Sequence, residues 1–313
     1  MTTNRKKLVS IIVPCFNEEE NLLPLYQNIV DVLDDEMNYE FILVDDGSQD
    51  GTLSLLKQMS INDSRVKYLS FSRNFGHQNA IKAGIDFAQG DCSITLDADL
   101  QHPPKLIPQL LQLWKQGYEV VYTTRDDSDA NGFLKKLTSR LFYVFINKLS
   151  STYIHQGSAD FRLLDRKVMN ELQKVTENYL FIRGLVAWMG FKQTSVSYQP
   201  NERFKGKSKY SFYKMARFAI IGITSFSIKP LRMSLYLGLV IALLSFIYGL
   251  YAVFVTLFTD KALVGWGSII ASILFIGGIQ LVMLGVVGEY LGKLFIENKR
   301  RPNYIIREQN MTE

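Results

Sequence analysis

Four polar clusters, each directly after a short apolar run, hold the residues best suited to chemistry: Pro14-Cys15-Phe16-Asn17-Glu18, Asp45-Asp46-Gly47-Ser48, Ser72-Arg73-Asn74-Phe75-Gly76 and Asp97-Ala98-Asp99-Leu100-Gln101. If the backbone stays extended past Leu96, the oxygens of Asp97, Asp99 and Gln101 project to one face. Such a set suits a hard divalent cation, Mg2+ or Mn2+, with water and phosphate oxygens filling its remaining sites. A cation there would offset charge developing on a departing diphosphate. The plainer reading is a solvated acidic turn ahead of His102-Pro103-Pro104. At the second cluster a carboxylate of Asp45 or Asp46 can accept from the base or ribose of a nucleotide, while Ser48 or Asp50 caps the next helix. Capping alone accounts for Ser48, Asp50 and Thr52 and leaves the two aspartates unused. Two other nucleotide devices are missing: no strand-like run precedes Gly-x-Gly-x-x-Gly, and Gly206-Lys207-Ser208 lacks the upstream glycine of a phosphate loop, because position 201 is Asn.

These clusters need a frame that brings them together. The β-branched runs Val9–Val13, Phe41–Val44, Val66–Phe71, Ser93–Leu96 and Val120–Thr123 alternate with helical segments, which predicts an α/β fold: a Rossmann-like, mostly parallel sheet with helices on both faces. In such a sheet ligands bind beyond the carboxyl ends of the strands, where all four clusters fall. Asn17 with Glu20 three residues on forms a capping-box pattern for a helix carrying Leu22, Leu25, Ile29 and Val32. Further helices centre near Leu55, Ala83 and Leu110. Asp126–Gly132 reads as a polar loop, Leu134–Leu149 as a helix, and the chain after His155–Asp160 as another small helical unit. A strand Ser195–Tyr198 and the basic stretch Arg203–Lys209 follow. Phe212–Ile228 reads as an amphipathic helix lying in a membrane interface.

The 313 residues carry a net charge of +5, unevenly placed. Met233–Thr259 and Ala262–Gly288 hold no charged side chain, and each exceeds the roughly 20 residues that cross a bilayer core as a helix. With only Asp260-Lys261 between them they form a hairpin; the rival reading is two buried core helices of a soluble protein. Lys229 and Arg232 precede it, and Lys293, Lys299, Arg300, Arg301 and Arg307 follow, which predicts that the preceding α/β domain and both termini lie in the cytoplasm. The divisions are then 1–210, the α/β domain; 211–232, a juxtamembrane helix; 233–291, the hairpin; and 292–313, a basic tail. This charge pattern fits lipid headgroups or a lipid phosphate rather than nucleic acid, for which no aromatic-basic module exists. Cys15 and Cys92 read as reduced core thiols, and three scattered histidines make no zinc site. The run after Arg5-Lys6-Lys7 ends at Pro14 and meets Glu18-Glu19-Glu20, so it reads as a first strand rather than a signal peptide.

The ordered set Val-Pro-Cys-Phe-Asn-Glu at 13–18, Val-Asp-Asp-Gly-Ser at 44–48, Ser-Arg-Asn-Phe-Gly at 72–76 and Asp-Ala-Asp-Leu-Gln at 97–101 resembles the family 2 glycosyltransferases of GT-A fold. With Gly157-Ser158-Ala159-Asp160-Phe161-Arg162, the Arg203–Tyr210 segment and the two-span tail, it is similar to the polyisoprenyl-phosphate glycosyltransferases. Bacterial bactoprenol glucosyltransferases and dolichol-phosphate mannose synthases share the pattern most closely. The resemblance implies that Pro14, Asn17, Glu18 and Asp46 line a nucleotide pocket that Arg73 helps to close. It makes Asp97, Asp99 and Gln101 the group binding Mg2+ or Mn2+ and the donor diphosphate, with Asp99 the direct ligand. Arg203 and Lys209 would reach that diphosphate, their bland alternative being a surface charge run. Arg125 and Lys135 fit the positions that hold an acceptor phosphate. Asp160 fits the family's presumed base, or a group orienting sugar or acceptor, or simply a helix cap. The implied reaction is inverting transfer of a hexose, glucose from UDP-glucose, to polyisoprenyl (undecaprenyl) phosphate at a bacterial inner membrane. Mannose, N-acetylglucosamine and aminoarabinose donors are not distinguished. A catalytically silent membrane scaffold is the reading from another class, and a homo-oligomer through the hairpin is an open partner.

Overall fold

The apolar alternation of the first hundred residues is realised as a twisted sheet. The computed structural model describes residues 6–34, 36–125, 158–199, 228–258 and 265–311. Lys135, Arg203 and Lys209, the loop expected at 126–132, the helix at 134–149, the interface helix up to residue 227 and the Asp260-Lys261 connection lie outside these. Strands β1 (Leu8–Cys15), β2 (Asn38–Asp45), β3 (Val66–Phe71), β4 (Cys92–Thr95), β5 (Val120–Arg125), β6 (Ser158–Asp165), β7 (Gln193–Tyr198) and β8 (Ile306–Gln309) form one sheet in the order β7-β5-β6-β4-β1-β2-β3-β8. The pairs β1–β2, β1–β4, β2–β3 and β5–β7 run parallel, while β6 is antiparallel to both β4 and β5.

Successive residues of a strand face opposite sides, so β1 feeds two cores: Val9, Ile11 and Val13 to one, Ile12 to the other. On the first face lie α1 (Glu19–Val30), α2 (Thr52–Asn62) and α4 (Ile107–Lys115). On the second lie α3 (His77–Phe87), α5 (Arg166–Gln173) and α6 (Ile182–Met189). Leu22, Leu25 and Ile29 recur at helical spacing on α1 and are each 1% exposed. Burying each contributes roughly 1.5–3 kcal/mol, which fixes that helix to the sheet far more firmly than its caps do.

Three local expectations change. Asn17 does not cap α1: it adopts φ 57, Glu18 occupies the cap position, and no side-chain cap bond forms. The chain leaves the sheet after β4 and turns at Ala98-Asp99, with Leu100 at φ 62, so strand alternation is not what orients Asp97, Asp99 and Gln101. The segment around Asp160 is a central strand rather than the approach to a helix, which rules out a helix-cap role for Asp160. Its signal was period-two: Ala159, Phe161 and Leu163 pack on one face, while Asp160 and Arg162 share the other.

Beyond the domain, α7 (Lys229–Phe258) and α8 (Trp266–Asn298) contain Leu231–Tyr251 and Phe275–Asn298, both long and apolar enough to cross a bilayer. Neither window is buried, so the reading as core helices of a soluble protein does not hold. Within 292–313, read from sequence as a basic tail, β8 returns to pair antiparallel with β3.

Candidate active site

The carboxyl ends of β1 and β2 are laced together by short polar side chains. Asn17 N–H donates to Ser48 Oγ (2.9 Å) while its Oδ1 accepts from Gln49 N–H (2.8 Å). Glu18 N–H donates to Thr52 Oγ1 (3.0 Å), and its carboxylate accepts from Asn21 Nδ2 (2.6 Å). Pro14 is buried inside β1 opposite Val44. The residues expected to line a nucleotide pocket therefore tie the loops after β1 and β2 together, and the positive φ of Asn17 lets its amide side chain span both.

Asp45 and Asp46, unexplained by capping, both have structural partners. Asp45 accepts from Ser48 N–H (2.9 Å) and Ser70 Oγ (2.8 Å). Asp46 accepts from Phe75 N–H (2.6 Å) and Gly76 N–H (2.9 Å), which brings the loop after β3 against the second cluster. Burial pushes the Asp46 carboxyl up, and these amide bonds pull against that push. Gly47, at φ 69, lies beneath the same loop: a Cβ there would meet the Arg73 carbonyl carbon at 2.5 Å. Arg73 itself is exposed, its guanidinium 4.0 Å from the Phe75 ring centroid.

The acidic turn sits between two histidines. His102 is buried, accepts from Asp97 N–H through Nδ1 (3.2 Å) and stacks on Phe161. His77, first residue of α3, places Nε2 3.3 Å from Asp97 Oδ1 and 3.4 Å from Asp160 Oδ2. Partial desolvation disfavours the charge on this 43% exposed ring, but the Asp160 and Asp97 carboxylates outweigh it and raise the imidazole to about 9, favouring its charged form at neutral pH. Asp99 Oδ1 accepts from Gln101 N–H (3.2 Å), and Gln101 Oε1 accepts from Arg125 Nη2 (3.4 Å). Arg125 is exposed at the end of β5, so the expected acceptor-side cation stands beside the acidic turn.

Among the described residues no group of three or more His, Cys, Asp and Glu side chains is placed to hold a metal ion. The donor set nevertheless fits a cation completed by phosphate oxygens: two carboxylates on one turn, with Asp97 Oδ1 buried, accepting no hydrogen bond and facing the His77 ring at 3.3 Å. Gln101, by contrast, directs its carbonyl oxygen to Arg125.

Asp160 is the best-held carboxylate of the site. Arg183, on α6, grips it with two bonds, Nε to Oδ1 at 2.7 Å and Nη2 to Oδ2 at 2.8 Å. Gln78 Nε2 adds a third at 3.4 Å, and Arg162 lies 3.8 Å away. Burial would raise the Asp160 carboxyl, but Arg183 and His77 hold it well below the usual carboxylate range. A carboxylate so paired is a poor proton acceptor, which argues against the base role and for a positioning one. Sequence reasoning missed Arg183 and His77 as members of the site. His77 directly follows the third cluster and could have been suspected; Arg183, on a separate helix, carried no signal.

Residues 10–173 match the family model described as Glycosyl transferase family 2, and residues 229–294 match that of the GtrB C-terminal hairpin. Over 300 residues the chain is 44% identical to an uncharacterized glycosyltransferase, YkcC, of Bacillus subtilis, covering 96% of this chain and 93% of that one. It is 41% identical over 301 residues to a prophage bactoprenol glucosyl transferase homolog of Escherichia coli K12 (96% and 98% covered). It is 40% identical over 303 residues to the bactoprenol glucosyl transferase of Shigella phage SfV (96% and 98%). Among solved structures, a mannosyltransferase from Pyrobaculum calidifontis in complex with GDP-Man and Mn2+ aligns with TM-score 0.48 at 18% identity, covering 71% of this chain and 64% of that one. A sheet with its polar clusters at the carboxyl edge, a match across more than half the sequence and relatives of 40% identity or more over nearly the full length place the chain in glycosyltransferase family 2, with a GtrB-type C-terminal hairpin.

Proposed function

We propose that the chain transfers glucose from UDP-glucose to a polyisoprenyl phosphate, in one inverting displacement, at the cytoplasmic face of a bacterial inner membrane. The observation that carries this is the contact of Gln101, on the acidic turn, with the exposed cation Arg125, in a chain that also carries an apolar two-helix segment long enough to cross a membrane. The near-full-length likeness to proteins named bactoprenol glucosyl transferase supports glucose and a bactoprenyl acceptor.

The acceptor phosphate is anionic at neutral pH, its second ionisation lying near pH 6, so it needs no strong base to attack the anomeric carbon. The protein's task is then alignment and charge stabilisation. Asp46, Asn17 and Glu18 shape the nucleotide end, with Pro14 in the strand beneath and Arg73, held over Phe75 and bonded to the Asn74 carbonyl, closing the donor's edge. Asp99 and Asp97, joined by Gln101 once its carbonyl oxygen leaves Arg125, are the residues that would hold Mg2+ or Mn2+, which would supply positive charge to the departing diphosphate. Arg203 and Lys209 add charge to the same group, and Arg125 with Lys135 receives the lipid phosphate. Asp160 keeps Arg183 and His77 in place facing the reaction centre. Divisions at 210, 232 and 291 separate the catalytic domain, interface helix, hairpin and returning tail.

The test is release of UDP from UDP-glucose when a polyprenyl phosphate is added in detergent with Mn2+ or Mg2+. Release should need lipid, sugar nucleotide and metal together, and Asp99→Asn should lower the rate by about 100-fold. Near-normal turnover by Asp99→Asn with metal present would defeat the metal assignment. No release by the wild type with any sugar nucleotide would favour a silent scaffold.

A further inference from the structure

The β3 edge of the sheet is closed by the chain's own C-terminus, in a place that bears on the donor site. After α8 the chain turns through Arg300, at φ 47, and the Tyr304 ring stacks on Phe71 with centroids 5.1 Å apart and planes 13° from parallel. Tyr304 Oη donates to Asp86 Oδ2 (2.8 Å), tying the same side chain to α3. Ser72 N–H donates to the Ile305 carbonyl (2.9 Å), and β8 then runs antiparallel to β3. Asn310 ends the strand by using its side chain as a strand residue would use its backbone: Oδ1 accepts from Tyr68 N–H (2.7 Å) and Nδ2 donates to the Val66 carbonyl (3.2 Å). Lys57 of α2 pairs with Glu308 at 2.8 Å.

The residues gripped here, Phe71 and Ser72, lead directly into Arg73–Gly76, the loop whose amides Asp46 holds and whose backbone lies against Gly47. That loop therefore has two supports, one from the second cluster and one from β8. Upstream, the same segment is continuous with α8, whose Glu297 accepts from Asn178 N–H (2.9 Å) and Nδ2 (3.2 Å) on the catalytic domain.

We propose that Tyr304–Asn310 is a positioning clasp for the donor site, holding Phe71–Ser72 so that the Arg73–Gly76 loop is pre-set for the nucleotide. The chain returning from the bilayer thus completes the pocket made by the domain that precedes it. This rests on the nucleotide site lying where the proposed function puts it. Ordering a loop before the ligand arrives lowers the cost of binding, so a loosened clasp weakens donor binding selectively. Simple protection of a sheet edge would stabilise the fold without that selectivity.

The experiment uses full-length protein in lipid nanodiscs and compares wild type with Tyr304→Ala, Asn310→Ala and Tyr304→Phe. The affinity for UDP with Mn2+, the KM values for UDP-glucose and polyprenyl phosphate, and amide exchange over residues 72–76 are measured for each. Tyr304→Ala should weaken UDP binding and raise the donor KM by about tenfold while leaving the lipid KM unchanged. Exchange at Phe75 and Gly76 should accelerate, and Tyr304→Phe, which keeps the ring stack, should recover most of the affinity. Unchanged exchange at 72–76, equal rises in both KM values, or a lower Tm with unaltered UDP affinity would each overturn the clasp. If Tyr304→Ala does not fold, Asn310→Ala, which removes the two side-chain bonds to the Val66 and Tyr68 backbone and leaves the ring stack, decides through the same exchange and affinity readings. A wild type that binds no UDP at all would instead defeat the donor-site reading, and the exchange data would then judge the contact alone.

Discussion

At the scale of single residues the site is organised by pairs of opposite charge rather than by isolated reactive groups. Asp160 is the clearest case: 7% of its side chain is exposed, and Arg183, 34% exposed, meets it with both donors aligned. Removing one partner of such a pair leaves the other without compensation, which costs roughly 3–5 kcal/mol when both are fully buried and less here because Arg183 reaches solvent. Asp160→Asn should therefore lower Tm and turnover together. Arg183→Gln should cost distinctly less in the Asp160→Asn background than in wild type, a double-mutant cycle read by thermal unfolding. Additive losses would mean that the pair does not act as a unit. Asp46, Asp97 and Asp99 stood out from sequence because they fall in the polar clusters just past β2 and β4, where ligands gather in a parallel sheet, whereas Arg125, the last residue of β5, was pointed to only by the family resemblance. Their partners were less so: Arg183 lies on a helix packed beside β6 and reaches Asp160 only through the tertiary fold.

Among the elements, the strands and helices of the first half follow from periodicity, and the exceptions share a cause. β6 carries Asp160 and Arg162 at buried positions, so its polarity disguised a central strand. β8 is only four residues long and reads Ile-Arg-Glu-Gln, too short and polar to declare itself without the β3 edge it completes. Turn chemistry was partly visible, since Gly47 follows two aspartates, but its role depends on a loop 26 residues away that no local rule connects to it. A side chain at Gly47 would meet both an unfavourable positive φ, worth about 1–2 kcal/mol, and the Arg73 backbone. Gly47→Ala should accordingly displace the Arg73–Gly76 loop and raise the KM for UDP-glucose more than that for the lipid, measured by steady-state kinetics. An unchanged donor KM would show that the loop does not border the nucleotide.

For the whole molecule, contacts among the described residues join a catalytic sheet to the apolar hairpin, Glu297 with Asn178, Lys293 over Tyr179 and β8 with β3 among them, so the anchor and the domain are not merely tethered. Because the faces of α7 and α8 are exposed and apolar, the protein should remain in the membrane fraction after alkaline carbonate extraction; release into the supernatant would contradict a spanning hairpin. Anchoring also fits the economy of the proposed chemistry: a lipid phosphate confined to the same surface would reach the proposed acceptor site at Arg125 by lateral diffusion, leaving the enzyme to align two anions and neutralise them. The most direct measurement is the fate of labelled glucose from UDP-glucose in nanodiscs containing polyprenyl phosphate. The account predicts label in an organic-extractable, acid-labile lipid phosphate, formed only with Mg2+ or Mn2+ and abolished by Asp99→Asn. Label appearing solely as free glucose, or in no product at all, would contradict it.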